Sequence, residues 1–310
     1  MLNKTKKELS MIVVFGSLNA DFFLNVRSFP KPGETVLTPC AAVKAGGKGA
    51  NQAAAAAKAG GVVKMVGAVG ADEIAKVPLT ALKAAGVDCS FVQTANQSTG
   101  MAMIMVDETA ENSIVVASGA NMSASSAAVP DSLLLPETVV VMQMEVPPAE
   151  NFALLKRAKA KGAKTVLNVA PAREVPAEAL RNVDYLIVNE IEAETIVGRT
   201  GQSPEQTALA LSEKTGGACL MTLGKKGVAA AANGRVFSVA SLPVKPVDTT
   251  GAGDAFVGIF AAGIDAGLPF AESVRRACCG AALACLKTGA QESLPSSREI
   301  DARLKEIEIK

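Results

Sequence analysis

Short apolar runs rich in β-branched residues recur along the whole chain and alternate with segments of helical composition. The runs are IVVF at 12 to 15, VVKMV at 62 to 66, TVVVM at 138 to 142, TVLNV at 165 to 169, YLIV at 185 to 188 and CLMTL at 219 to 223. Strands buried on both faces lose polar alternation, so such runs read as parallel strands. Residues 49–59, 149–161, 203–215 and 253–266 supply helices between and after them. Repeated βα units predict an α/β fold, a doubly wound and mostly parallel sheet flanked by helices, with its site at the strands' carboxyl ends.

Two segments break the rhythm, residues 21–43 and 99–118, because they alternate apolar and polar side chains and carry turn signals. FFLNV, ETVLT, GMAMIMV and NSIVVAS are expected as antiparallel strands of a small β lid beside the N-terminal half of the site. The expected organisation is one domain over 11–310 with the lid segments inserted and residues 1–10 as an extension.

Composition narrows the chemistry. The 310 residues contain no histidine, which excludes Ser-His-Asp and Cys-His nucleophile activation and zinc sites built on imidazole. Proton transfer then falls to a carboxylate, lysine or tyrosine, and Tyr185 is the single tyrosine. Lys plus Arg number 31 against 30 Asp plus Glu, with no basic tract, so nucleic acid is not an expected partner. The polar start MLNKTKKELS and the lack of a long apolar stretch point to a cytoplasmic protein without membrane insertion. Cysteines 40, 89, 219, 278, 279 and 285 show no C-x-x-C spacing and read as free thiols.

Two glycine-rich segments carry the chemistry. In VDTTGAGDAF, residues 247 to 256, Gly251, Ala252 and Gly253 lead into an apolar helix, and their N–H groups with the helix terminus suit an anion. Asp254 stands beside that cradle, where it either opens a helix after a glycine turn or accepts a proton from a hydroxyl attacking bound phosphate. In AGGKGANQ, residues 45 to 52, Gly49 stands where a nucleotide P-loop needs Ser or Thr. A tight turn before an Ala-rich helix explains its glycines but not Lys48 and Asn51. Asn19, Asp21 and Glu145 fall near strand ends, as loop caps or as partners for a polyhydroxyl ligand. Asn189 and Glu192, in VNEIEAE, form either a cap with a solvated acid or part of a site.

Together with MQMEVP, NVAPAREVPAEAL, TLGKKGV and TGAQESLP, these segments resemble the successive motifs of the ribokinase-like family of carbohydrate kinases over roughly Met11 to Glu306. The resemblance implies ATP-dependent phosphorylation of a pentose, ribose foremost. It assigns Asn19, Asp21, Gly47, Lys48, Asn51 and Glu145 to the sugar, Asp254 to base catalysis, and Gly251, Ala252 and Gly253 to an anion hole. Asn189 and Glu192 match the motif that organises Mg²⁺ and the ATP phosphates, while Thr222, Gly224, Gly227, Gly253 and Cys278 fall on the nucleotide side. Asp248, Thr250, Ala284, Lys287, Gly289 and Ser293 match a K⁺ site formed mostly of backbone carbonyls. The family's lid commonly pairs with its twin, which implies a homodimer.

Three positions depart from the pattern: Phe22 for a histidine, Val169 for a proline and Cys278 for Asn or His near adenine. Kinases of deoxyribose, fructose or a nucleoside remain open, as does a non-catalytic sugar-binding regulator on the same fold.

Overall fold

Each of the six apolar runs supplies a strand, and successive side chains of the central strands enter two different cores. The computed structural model describes residues 10–38, 41–109, 111–198 and 201–309. Its strands are β1 (Ile12–Phe15), β2 (Asn19–Asn25), β3 (Ala41–Gly46), β4 (Val63–Gly70), β5 (Asp88–Ala95), β6 (Gly100–Val106) and β7 (Asn112–Ala117). They continue with β8 (Val139–Met142), β9 (Lys164–Asn168), β10 (Tyr185–Asn189), β11 (Ala218–Thr222), β12 (Val228–Ala232) and β13 (Arg235–Val239).

Nine of these form the main sheet in the order β13-β12-β11-β10-β9-β8-β1-β4-β5. All pairings from β11 to β5 are parallel. Strands β12 and β13 extend the sheet as an antiparallel hairpin. Ile12, Val14, Val139 and Val141 enter one core with helices Lys48–Lys58, Ala252–Asp265 and Phe270–Ala284. Val13, Phe15, Val140 and Met142 enter the other with helices Pro148–Ala160 and Pro204–Thr215. This period of two is what a sheet covered on both faces demands, and it makes every side chain of β1 and β8 apolar.

Strand order reverses at β1, which has β4 on one side and β8 on the other. Chain leaving β1 and β8 therefore diverges and opens a crevice at their carboxyl ends. Helices Lys48–Lys58 and Ala252–Asp265 pack tightly beneath it. A Cβ on Gly258 would lie 2.3 Å from the backbone oxygen of Gln52, so only glycine permits this approach.

A second sheet of order β3-β2-β6-β7 rises from the same crevice. Pairs β2/β3 and β6/β7 are antiparallel as expected, but β2/β6 is parallel. The expected strand at Glu34–Thr38 is absent; these residues form an irregular, mostly exposed loop after Pro30, Pro32 and Gly33, with Leu37 90% exposed. Prolines remove ladder donors, and none of the described residues covers Leu37. The partner of β2 is instead Ala41–Gly46, whose small residues gave no alternating signal.

No helix among the described residues is long and apolar enough to cross a membrane. Cys89, Cys219, Cys278, Cys279 and Cys285 are free; Cys40 lies outside the described residues.

Candidate active site

The chain leaving β1 meets the chain leaving β8 at Glu145. Its Oε2 accepts hydrogen bonds from Ser17 Oγ at 2.6 Å and from the Lys48 N–H at 3.0 Å. Asn19 is buried, and its Oδ1 accepts from Asn121 Nδ2 at 2.7 Å. Asn121 also accepts from the Leu18 N–H at 2.9 Å, so it braces the turn that aims Asn19 inward. Asp21 follows on β2 with its buried Oδ1 lacking a hydrogen-bond partner. Burial foremost, then the charges of Glu145 and Asp254, push its carboxyl up to about 7. A buried acceptor without a donor is what a hydroxyl-rich ligand satisfies.

Gly47 turns the chain into helix Lys48–Lys58, which carries Lys48, Asn51 and Gln52 toward Asp254. The Asp254 carboxylate, followed by Glu145 and Glu192, holds the Lys48 ammonium above the ordinary lysine range against the opposing effect of burial. Asp254 is itself buried in the first turn of helix Ala252–Asp265. Its Oδ2 accepts from Asn51 Nδ2 at 3.0 Å and its Oδ1 from Gln52 Nε2 at 2.9 Å. The hydrogen-bonding role is thus inter-helical and not that of a cap. Gly251 precedes the helix with φ 75°, a left-handed conformation that starts the helix at Ala252, whose N–H donates to the Thr249 carbonyl at 3.2 Å, and sets Gly253 in its first turn.

On the far side of Asp254 lies a cavity of about 310 Å³. Thr222, Gly224, Gly227, Ala252, Gly253 and Cys278 all line it, together with apolar side chains such as Val228, Leu242 and Phe256. Its volume and apolar walls suit a planar heterocycle. Cys278 is buried there, and burial pushes its thiol up to about 12, so it acts as a small neutral wall residue. Asn189 and Glu192 form a reciprocal capping box: Glu192 N donates to Asn189 Oδ1 at 2.9 Å and Asn189 N to Glu192 Oε2 at 2.8 Å. Glu192 is nevertheless only 6% exposed, and so is not a solvated acid. Burial raises its carboxyl, opposed by the Asn189 N–H and by Lys48, and reinforced by Asp254.

A polar half with a buried carboxylate cluster therefore adjoins an apolar half along one helix N-terminus. The sequence matches the pfkB family carbohydrate kinase model over residues 9–297. The chain belongs to that family. It is 37% identical over 294 residues to the ribokinase of Haemophilus influenzae, covering 93% of this chain and 96% of that one. It is 32% identical over 300 residues to the deoxyribokinase of Salmonella typhi, covering 94% and 98%. The solved structure of Arabidopsis thaliana ribokinase complexed with ribose and ATP superimposes with a TM-score of 0.87, at 32% identity, over 96% of this chain and 99% of that one. The chain is a sugar kinase.

In this kinase the loop residues Asp248–Thr250 are clipped to the segment around Gly289. Asp248 accepts from the Thr250 N–H and the Gly289 N–H, each at 2.9 Å. Burial works to raise the Asp248 carboxyl, but these donors and the nearby Lys44 charge hold it below the usual range. Ser293 is buried with its Oγ donating to Ala290 O at 3.2 Å, and Ala284 is buried at the end of helix Phe270–Ala284. The exposed Lys287 side chain pairs with Glu299 at 3.2 Å. Sequence reasoning missed four site-forming residues: Gln52, Asn121 and Gln143, and Lys44, whose Nζ lies over the Phe23 ring at 5.3 Å. Gln52 and Gln143 lie within AGGKGANQ and MQMEVP, but a neutral amide there carries no chemical signal of its own.

Proposed function

We propose that this kinase transfers the γ-phosphoryl group of ATP to D-ribose, forming ribose 5-phosphate, with Asp254 as the base. The observation that carries this reading is the Asp254 carboxylate itself, buried between the two halves and held through both oxygens by amide donors. A carboxylate so held is oriented to accept the proton of an attacking hydroxyl. Asn19, Asp21, Gly47, Lys48, Asn51 and Glu145 then bind the sugar, and the unpartnered Asp21 oxygen supports that assignment. The Gly251, Ala252 and Gly253 N–H groups face the charge that develops on the transferring phosphoryl group, and Lys48 neutralises the same region.

Adenine takes the cavity lined by Thr222, Gly224, Gly227, Gly253 and Cys278. Asn189 and Glu192 would hold hydrated Mg²⁺ on the ATP phosphates, which fits a buried carboxylate facing Lys48 and Asp254. Asp248, Ser293 and backbone carbonyls at Thr250, Ala284, Lys287 and Gly289 would hold K⁺. The fit rests on their hard oxygen donors and on Asp248 being kept ionised. When bound, Mg²⁺ would supply charge neutralisation for phosphoryl transfer, and K⁺ would supply positive charge beside Asp248. The lid's exposed Ile114, Val115 and Val116 support pairing of two lids in a homodimer.

ADP release measured with ribose, deoxyribose, fructose and adenosine tests the reading: ribose gives the highest kcat/KM. No sugar-dependent turnover on any of them would leave a binding protein. For the cation loop, KCl raises kcat over NaCl at equal ionic strength, and equal rates would make that loop structural only.

A further inference from the structure

Asp254 is gripped by groups whose own orientation leads back to the main chain of the sheet. Asn168 Nδ2 donates to the backbone oxygen of Ile187 at 3.1 Å. That carbonyl only accepts, so the Asn168 amide has one orientation, with Oδ1 facing Gln52. Gln52 Nε2 donates to this Oδ1 at 3.1 Å and to Asp254 Oδ1 at 2.9 Å. Gln52 Oε1 in turn accepts from Gln143 Nε2 at 2.8 Å. Asn51 is set in the same manner, its Oδ1 accepting from Gln291 Nε2 at 3.1 Å while its Nδ2 faces Asp254. Gln52 and Gln143 are fully buried, and Asn168 and Gln291 each 7% exposed.

We propose that Gln52 is a positioning residue for phosphoryl transfer: through Asn168, the sheet backbone compels its amide to present N–H, never oxygen, to Asp254, while Gln143 donates to its oxygen. This rests on Asp254 being the base, as proposed above. The relay fixes the plane of that carboxylate so that its remaining lone pairs point into the crevice.

The charged groups that face Asp254 are Asp21 from β2, Lys48 from its own helix and Glu192 after β10. Glu145, after β8, faces Asp21 and Lys48. Asp21 titrates near neutrality in the free enzyme, so kcat at saturating ribose and MgATP is the proper readout.

The experiment compares kcat, the KM values for ribose and MgATP, and the melting temperature of the parent, Gln52→Met, Gln52→Glu, Gln143→Met and Asp254→Asn. Gln52→Met lowers kcat by about tenfold or more while both KM values stay within a few-fold. Gln52→Glu, which presents oxygen where the amide presents N–H, lowers it further. Gln143→Met removes the donor to Gln52 Oε1 but leaves Gln52 Nε2 between its two acceptors, so it lowers kcat less, and it carries the test if the Gln52 variants do not fold. A merely structural role lowers stability and raises both KM values along with any loss of kcat. A folded Gln52→Met, or failing that a folded Gln143→Met, with the parental kcat overturns the proposal while an inactive Asp254→Asn preserves the base assignment. An active Asp254→Asn overturns both.

Discussion

The two halves of the crevice solve recognition by opposite means. The acceptor half crowds Asp21, Glu145, Lys48, Asn51 and Asp254 into a half-buried to buried space, where the charges of Asp21 and Lys48 depend on their neighbours. The donor half is a cavity of about 310 Å³ walled by small and apolar residues, in which glycine and the Cys278 thiol replace charged side chains. Coupled buried charges are sensitive to single changes, whereas an apolar wall loses contact area in proportion to what is removed. The difference teaches where specificity and rate would reside under the proposed reading: substitution should cost most in the acceptor half and least around the apolar cavity.

The largest effect is expected at Lys48. Lys48→Met leaves Asp254, Glu145 and Glu192 without their shared cation, and kcat/KM for ribose should fall by roughly 10³-fold or more. Steady-state kinetics check this, and a loss under tenfold would break the contrast between the halves.

Asp21 comes next. Asp21→Asn should weaken ribose binding by roughly 10²-fold, the scale of hydrogen bonds to a charged acceptor, with ATP affinity unchanged in calorimetric titration. In the parent, ribose affinity should fall by up to about tenfold per pH unit as pH drops below about 7, because Asp21 takes up a proton there. Its folded pKa lies above the unfolded value of 3.8, so its contribution to stability is fully present below that value and is lost as pH rises through about 7. Asp21→Asn should therefore raise the melting temperature of the ligand-free enzyme by about 2–4 °C at pH 8 and by less at pH 5. A ribose affinity independent of pH would remove Asp21 from the site.

The smallest effect belongs to the donor half. Cys278→Ala trims one wall of the cavity and should change KM for ATP by about two- to fivefold, leaving KM for ribose alone. A tenfold change in ribose KM would show that the halves are coupled.

Much of this division was legible in the sequence because it depends on local pattern. IVVF, TVVVM and CLMTL declared buried strands by length and branching, and GAGD followed by an apolar run declared a helix mouth with a carboxylate in it. What failed to show was whatever long-range pairing alone defines. AAVKAG joins β2 only because that strand needs a partner, and its small residues carry no periodic signal. Gln52 looks like a helix filler among alanines until the fold brings Gln143, 91 positions away, and Asp254, 202 positions away, against its amide. Lys44, on β3, likewise gains meaning only when the fold brings its charge near Asp248.

The central claim is that Asp254 is the proton acceptor at the boundary of the two halves, and the most direct measurement is ribose binding, ATP binding and single-turnover rate in one Asp254→Asn preparation. Asparagine keeps the size of the side chain and removes the acceptor. The expected result is a folded protein that binds both substrates within a few-fold of the parent while the chemical step slows by about 10²- to 10⁴-fold. A folded variant that phosphorylates ribose within about tenfold of the parent rate would contradict the assignment and leave positioning and electrostatics to carry the reaction.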